Sequence, residues 1–252
     1  MAVPTIGPVP TLTIAERFCG PPGTSNGGYL SGCLAALVGA PAVSVRLRRP
    51  TPLDRALDVR VGKTGVELLD GEELLATATA AELHLDVPAP PSAVQAVAAR
   101  AALPPRTGHP FPGCFGCGPE RVPGDAVAAV VGPLPDRPEL WAGIFRPTAE
   151  LPSSAGDAAP ETVWAALDCP SFQPIAPLNP APHLLGTITA RQDSPVRLDT
   201  DHVLLSWVLG REGRRSTTAS ALIDPDGEVC ARARAVWFKV SRPLPETPVP
   251  LA

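Results

Sequence analysis

Three short stretches of the sequence hold residue types and spacings that can do chemistry. The first is Thr24-Ser25-Asn26-Gly27-Gly28-Tyr29, which leads into an apolar run. A helix start presents unpaired N–H groups and the positive end of the helix dipole. Two glycines let the carbonyl of a ligand approach those groups closely, so the segment suits a developing oxyanion. Asn26 offers a side-chain amide as a second donor, and Ser25 or Thr24 a hydroxyl. A plain helix cap by Ser25 or Asn26 is the simpler alternative, but a cap does not require two successive glycines.

The second stretch runs from Glu161 to Pro170. Glu161, Trp164, Ala165 and Asp168 are spaced i, i+3, i+4, i+7 and so share one helix face. Asp168 falls late in that helix, at the unfavourable end of the dipole, among apolar neighbours that would raise its pKa if it is buried. Such a carboxylate is a candidate base; an exposed turn carboxylate before Pro170 is the alternative. Glu161, in the first turn, is a second candidate, although dipole stabilisation alone accounts for it.

The third stretch is Cys114-Phe115-Gly116-Cys117-Gly118, with His109 five residues ahead of Cys114. A structural zinc needs four ligands. Three are local here, and Cys19, Cys33, Cys169, Cys230 or the histidines His84, His183 and His202 could supply a fourth only through the fold. The expectation is therefore a packed turn, with no metal, over a metal site or a redox pair. Cys169 has no histidine near it in sequence and reads as a small buried residue rather than a nucleophile.

These segments need a scaffold. The chain has 252 residues, 44% of them hydrophobic, which allows one large or two small domains. The net charge of -4 and the scattered basic residues point away from a nucleic-acid partner. No leader-like segment is seen at Met1–Pro10, and the apolar stretch 29–45 is broken by Gly32, Gly39 and Pro41, so neither secretion nor membrane insertion is expected and a cytoplasmic location is. The six cysteines are then free thiols.

Periodicity gives a strand at 12–18, a helix at 27–38, strands at 42–48 and 56–61, and a hairpin at 66–85 turning at Asp70-Gly71. Proline- and alanine-rich stretches at 87–93 and 103–112 flank a short helix at 94–102. The second half has strands at 126–134 and 140–145, a loop at 146–159, a helix at 160–169, and strands at 184–191, 202–209, 216–223 and 228–240. The hairpin around Asp70-Gly71 lines up with that around Asp224–Gly227, and the order of helix and strands is shared. A nearly all-apolar helix followed by an antiparallel meander is best buried by a sheet curled around it. The expected fold is thus α+β: two tandem hotdog folds forming an internal pseudo-dimer, at 11–86 and 125–242, with a linker at 87–124.

In Asn26-Gly27-Gly28, Cys114–Gly118 and Glu161–Pro170 the chain resembles the hotdog superfamily of acyl-CoA thioesterases in its tandem form, over residues 11–241. Asn26 stands where the commoner version has His. The resemblance implies hydrolysis of an acyl thioester: the Gly28 N–H polarises the carbonyl with Asn26 beside it, and Asp168, or else Glu161, activates water. Ser25, Gly27, Tyr29 and Trp164 are the expected substrate contacts. No cofactor is implied beyond coenzyme A as part of the substrate. The partner is an acyl-CoA or acyl-carrier thioester, with no membrane partner, and a homodimer of pseudo-dimers is a further assembly it allows. Arg46, Arg48 and Arg49, or Arg211, Arg214 and Arg215, are candidates for the coenzyme's phosphates. Two other readings stay open: a non-catalytic acyl-thioester binding protein, and a hotdog hydratase or dehydratase, against which the lack of a histidine at either helix start counts.

Overall fold

The computed structural model describes residues 10–106, 109–122, 124–177 and 182–240. In chain order these form β1 (Thr11–Leu12), α1 (Gly27–Val38), β2 (Ala42–Leu47), β3 (Leu57–Gly62), β4 (Gly65–Asp70), β5 (Glu73–Ala80), α2 (Ala93–Ala101), β6 (Gly132–Leu134), β7 (Arg137–Phe145), β8 (Ser153–Ser154), β9 (Asp157–Ala158), α3 (Pro160–Phe172), β10 (His183–Gln192), β11 (His202–Glu212), β12 (Arg215–Ile223) and β13 (Val229–Lys239). Eleven strands form one antiparallel sheet in the order β1-β3-β4-β5-β2-β10-β13-β12-β11-β7-β6. The halves of the chain join where β2 pairs with β10, in a register that sets Val45 opposite Ile188 and Ser44 opposite Thr189. Read from either side toward that junction, the last four strands follow the same order: β3-β4-β5-β2 from one side and β11-β12-β13-β10 from the other.

Helices α1 and α3 pack against each other and on the sheet. Their apolar side chains, among them Leu30, Leu34, Val163 and Leu167, are fully buried with Val45, Leu68, Leu75, Ile188 and Leu204 of the strands. Burying each such side chain contributes roughly 1.5–3 kcal/mol. The helices run antiparallel and very close. A Cβ at Gly28 would stand 2.5 Å from Asp168 Cβ and 2.7 Å from the Trp164 carbonyl oxygen, and one at Gly32 would stand 2.4 Å from Glu161 Cα. Glycine at these two positions is what lets the backbones touch.

Helix α2 lies against β6 and β7 on the other side of the sheet. Its Ala96 and Ala99 close a second core with Leu140, Leu205, Trp207 and Ala221. This second layer is why much of β11 and β12 is buried on both faces.

Several sequence expectations change. The strand at 12–18 shrinks to Thr11–Leu12 followed by a 3-10 turn at Glu16–Phe18. The strand at 126–134 is confined to Gly132–Leu134. The residues before it run beside the cysteine segment instead, with Val127 N–H donating to Phe115 O at 3.0 Å and Ala129 N–H to Gly116 O at 2.9 Å. The loop at 146–159 holds the small hairpin β8-β9. Helix α3 runs on through Pro170 to Phe172. Proline has no N–H to return to the Ala166 carbonyl, and around it buried hydroxyls bind other carbonyls of the helix: Ser220 Oγ donates to Leu167 O at 2.7 Å and Ser206 Oγ to Pro170 O at 2.8 Å. The stretch between the halves packs on the rest of the chain: Phe115 is fully buried and its N–H donates to Cys19 O at 2.7 Å.

Candidate functional site

Asn26 ends the loop before α1 and caps the helix, its Oδ1 accepting the Tyr29 N–H at 2.8 Å. The capping geometry turns its Nδ2 the other way, toward α3, where it donates to Asp168 Oδ2 at 3.3 Å. Gly28 N–H donates to the same oxygen at 2.7 Å. Asp168 therefore stands late in its own helix but against the start of the antiparallel one. The positive end of α1 offsets the unfavourable end of α3.

The Asp168 carboxyl is buried, at 2% exposure, and its Oδ1 has no partner among the described residues. Burial pushes its pKa up to about 7, the Cys114 charge adds to that, and the bonds from Gly28 and Asn26 work against it. Asp168, Ser25, Asn26 and Gly27 line a cavity of about 820 Å3. Most of its wall is apolar, including Leu47, Phe111, Trp141, Phe172, Leu185 and Trp237, and Arg48, Arg49 and Arg106 also line it. Concave, mainly apolar cavities of this size with a few convergent polar groups suit small-molecule ligands. Gly27 N–H, at the helix start, meets no acceptor among the described residues, because the next two N–H groups are taken by Asp168 and Asn26.

The other expected residues lie elsewhere. Glu161 sits two turns from Asp168, beside Gly32, and does not line the cavity. Trp164 is core, with its carbonyl against Gly28. Tyr29 is buried, stacked on Phe18 with ring centroids 3.9 Å apart and edge-on to Phe115. Tyr29 and Trp164 are thus packed in the core, and Glu161 is half-buried two turns along α3 from Asp168, away from the cavity.

Cys169 was read as a lone buried residue, and the fold gives it company. Its Sγ lies 3.8 Å from Cys114 Sγ and 3.7 Å from Asn26 Nδ2. Cys117 Sγ lies 3.6 Å from His109 Nε2. Among the described residues, Cys114, Cys117 and Cys169 form a group able to hold a metal ion. The thiols of Cys117 and Cys169 hydrogen-bond to Cys114 and hold its pKa well below the usual thiol value; those two are pushed up in turn, chiefly by the same contacts. Periodicity could not have found Cys169, which lies 55 residues from Cys114. The signal was its adjacency to a candidate carboxylate.

No protein-family model and no curated protein matches the sequence. Solved structures do match in shape. A proposed thioesterase from Novosphingobium aromaticivorans has a TM-score of 0.61 at 14% identity, covering 92% of this chain and 95% of that one. A proposed thioesterase II from Thermobifida fusca has a TM-score of 0.55 at 20% identity, covering 90% and 92%. A protein from Alicyclobacillus acidocaldarius, described as a conserved protein of unknown function with the hotdog fold, has a TM-score of 0.52 at 12% identity, covering 92% and 93%. The chain has the hotdog fold. No helix among the described residues is long and apolar enough to cross a membrane.

Proposed function

We propose that the chain is a tandem hotdog acyl-thioester hydrolase in which the two halves form an internal pseudo-dimer with the site at their junction. The strand order mirrored about β2 and β10 supports the pseudo-dimer. One observation carries the function: a buried carboxylate, Asp168, stands in the wall of a largely apolar cavity with one oxygen held by Gly28 and Asn26 and the other unpartnered. Oδ1 is enclosed at rest, and a water admitted from the cavity gives it a proton while attacking the thioester carbonyl carbon. The developing oxyanion needs a donor that is not already engaged. Gly28 N–H is held by Asp168, so Gly27 N–H takes the role. The carbonyl re-forms, the carbon–sulfur bond breaks, and the thiolate takes the proton. The apolar wall receives the acyl chain, and Arg48 and Arg49 meet the phosphates of coenzyme A.

The engagement of Gly28 N–H also favours a second reading, in which the same site binds acyl thioesters without turnover. A hydratase would pair the carboxylate with a histidine, and among the described residues the Asp168 carboxyl is bonded by Asn26 and Gly28 alone. A panel of acyl-CoA substrates assayed by thiol release, with D168N beside the wild type, is the test. Turnover by the wild type and its loss in D168N supports hydrolysis. Saturable acyl-CoA binding with no thiol release by either protein moves the assignment to the binding reading.

A further inference from the structure

The geometry points to a zinc(II) site formed by the sulfurs of Cys114, Cys117 and Cys169 with His109 Nε2 as the fourth ligand. The three sulfurs lie within 4.8 Å of one another, two from the segment between the halves and one from the end of α3. A tetrahedral site with zinc–sulfur bonds of about 2.3 Å and zinc–nitrogen bonds of about 2.0 Å has sulfur–sulfur edges of about 3.8 Å and sulfur–nitrogen edges of about 3.5 Å. Cys114 Sγ and Cys169 Sγ are 3.8 Å apart, and Cys117 Sγ and His109 Nε2 are 3.6 Å apart. Three thiolates and an imidazole are a donor set that favours zinc over the hard cations calcium and magnesium, which take oxygen ligands.

Outer contacts fit the same assignment. Coordinated sulfurs are ordinarily hydrogen-bonded by surrounding donors. Asn26 Nδ2 lies 3.8 Å from Cys114 Sγ and 3.7 Å from Cys169 Sγ, and the backbone N–H groups of Gly116 and Cys117 face Cys114 Sγ. Gly116 is pressed so close that a Cβ there would stand 2.5 Å from Cys169 Sγ. His109 Nε2 adjoins Cys117 Sγ but is not among the atoms that all lie within 4.8 Å of one another, so the ring must swing inward to take the fourth position. His109 Nδ1 accepts the Phe111 N–H at 3.1 Å; coordination through Nε2 places the ring proton on Nδ1, so that contact opens when the metal binds. The metal would clamp the segment between the halves onto α3 one residue from Asp168. This holds whether or not Asp168 turns over a thioester.

The full chain, purified without a histidine tag under reducing conditions from zinc-supplemented medium, should carry about one zinc per chain by elemental mass spectrometry. Replacement by cobalt(II) should give thiolate charge-transfer bands and the visible bands of a tetrahedral ion. C117S and C169S should each lose the metal and the bands, and H109A should bind it more weakly, whereas C33S, outside the cluster, should keep both. Since a serine variant can misfold, the wild type is also tested by alkylation mapped to each cysteine: Cys114, Cys117 and Cys169 should be protected and released by a chelator, whereas the buried Cys230 should not respond to it. Metal-free protein that gives no cobalt bands, metal content unchanged in C117S and C169S, or a disulfide between Cys114 and Cys169 in protein kept reduced would each overturn the assignment.

Discussion

Gly28 and Asp168 hold each other across the two central helices: the Gly28 N–H donates to Asp168 Oδ2 at 2.7 Å, and a Cβ on Gly28 would stand 2.5 Å from Asp168 Cβ. One glycine thus serves the packing of the helix pair and the orientation of the carboxylate together. G28A should force the helices apart and cost about 1–3 kcal/mol, as overpacking does. Thermal unfolding measures it, and an unchanged Tm would contradict the close approach.

D168N keeps the shape and an acceptor for Gly28 but removes the base. Loss of a general base lowers rate by about 10²–10⁴-fold, so thiol release from a responsive acyl-CoA should fall at least about a hundredfold. Stability should not fall with it. Burial raises the folded pKa from 3.8 to about 7. Ionisation therefore opposes folding as pH rises from the unfolded value through about 7, and the amide escapes that penalty. A wild-type rate in D168N would remove Asp168 from the mechanism.

The same shift sets a pH profile. The base must be ionised, so kcat/KM should rise with pH and level off above about 7. A profile flat across neutral pH, with the protein folded throughout, would show that another group limits the reaction.

Arg48 and Arg49 line the cavity and are exposed, and Arg49 is tied to Glu73 at 3.0 Å. R48A should raise KM for an acyl-CoA about tenfold, the worth of a charge-assisted hydrogen bond. It should leave a short thioester lacking the nucleotide unaffected. Equal effects on both substrates would place the phosphates elsewhere.

The end of α3 depends on buried hydroxyls from the sheet. S220A leaves the Leu167 carbonyl without its 2.7 Å partner. An unsatisfied buried carbonyl costs about 1–3 kcal/mol. Denaturant unfolding should show that loss, and an unchanged midpoint would mean that another group caps the carbonyl.

Much of the fold was legible because its signals are local. The apolar run behind Asn26, the alternation at 42–48 and the two aligned hairpins each carry their structure in their own residues. The two parts of the candidate site that the fold brings together, Asn26-Gly27-Gly28 and Asp168, were legible because helix starts and misplaced carboxylates announce themselves in sequence. What escaped was set by distance along the chain. Nothing near Gly28 shows that it must admit a second helix, and nothing near Cys169 shows that Cys114 will lie against it. Trp164 turned inward against α1, and Tyr29 against Phe18 and Phe115, through contacts distant in sequence. Val127 and Ala129 left the strand because the cysteine segment offered their N–H groups another set of carbonyls.

The mirrored strand order has a last consequence, for stoichiometry. A symmetric pair of halves would offer two equivalent places for a ligand, and here the second place is spoiled at both of its key positions. Helix α3 begins at Pro160, which has no N–H to give at the position where α1 has Gly27. The ninth residue of α3 is Asp168, and the ninth of α1 is Ala35, which carries no acid. On the proposed pseudo-dimer reading only one of the two places keeps its groups, so a titration with acyl-CoA should saturate at about one ligand per chain.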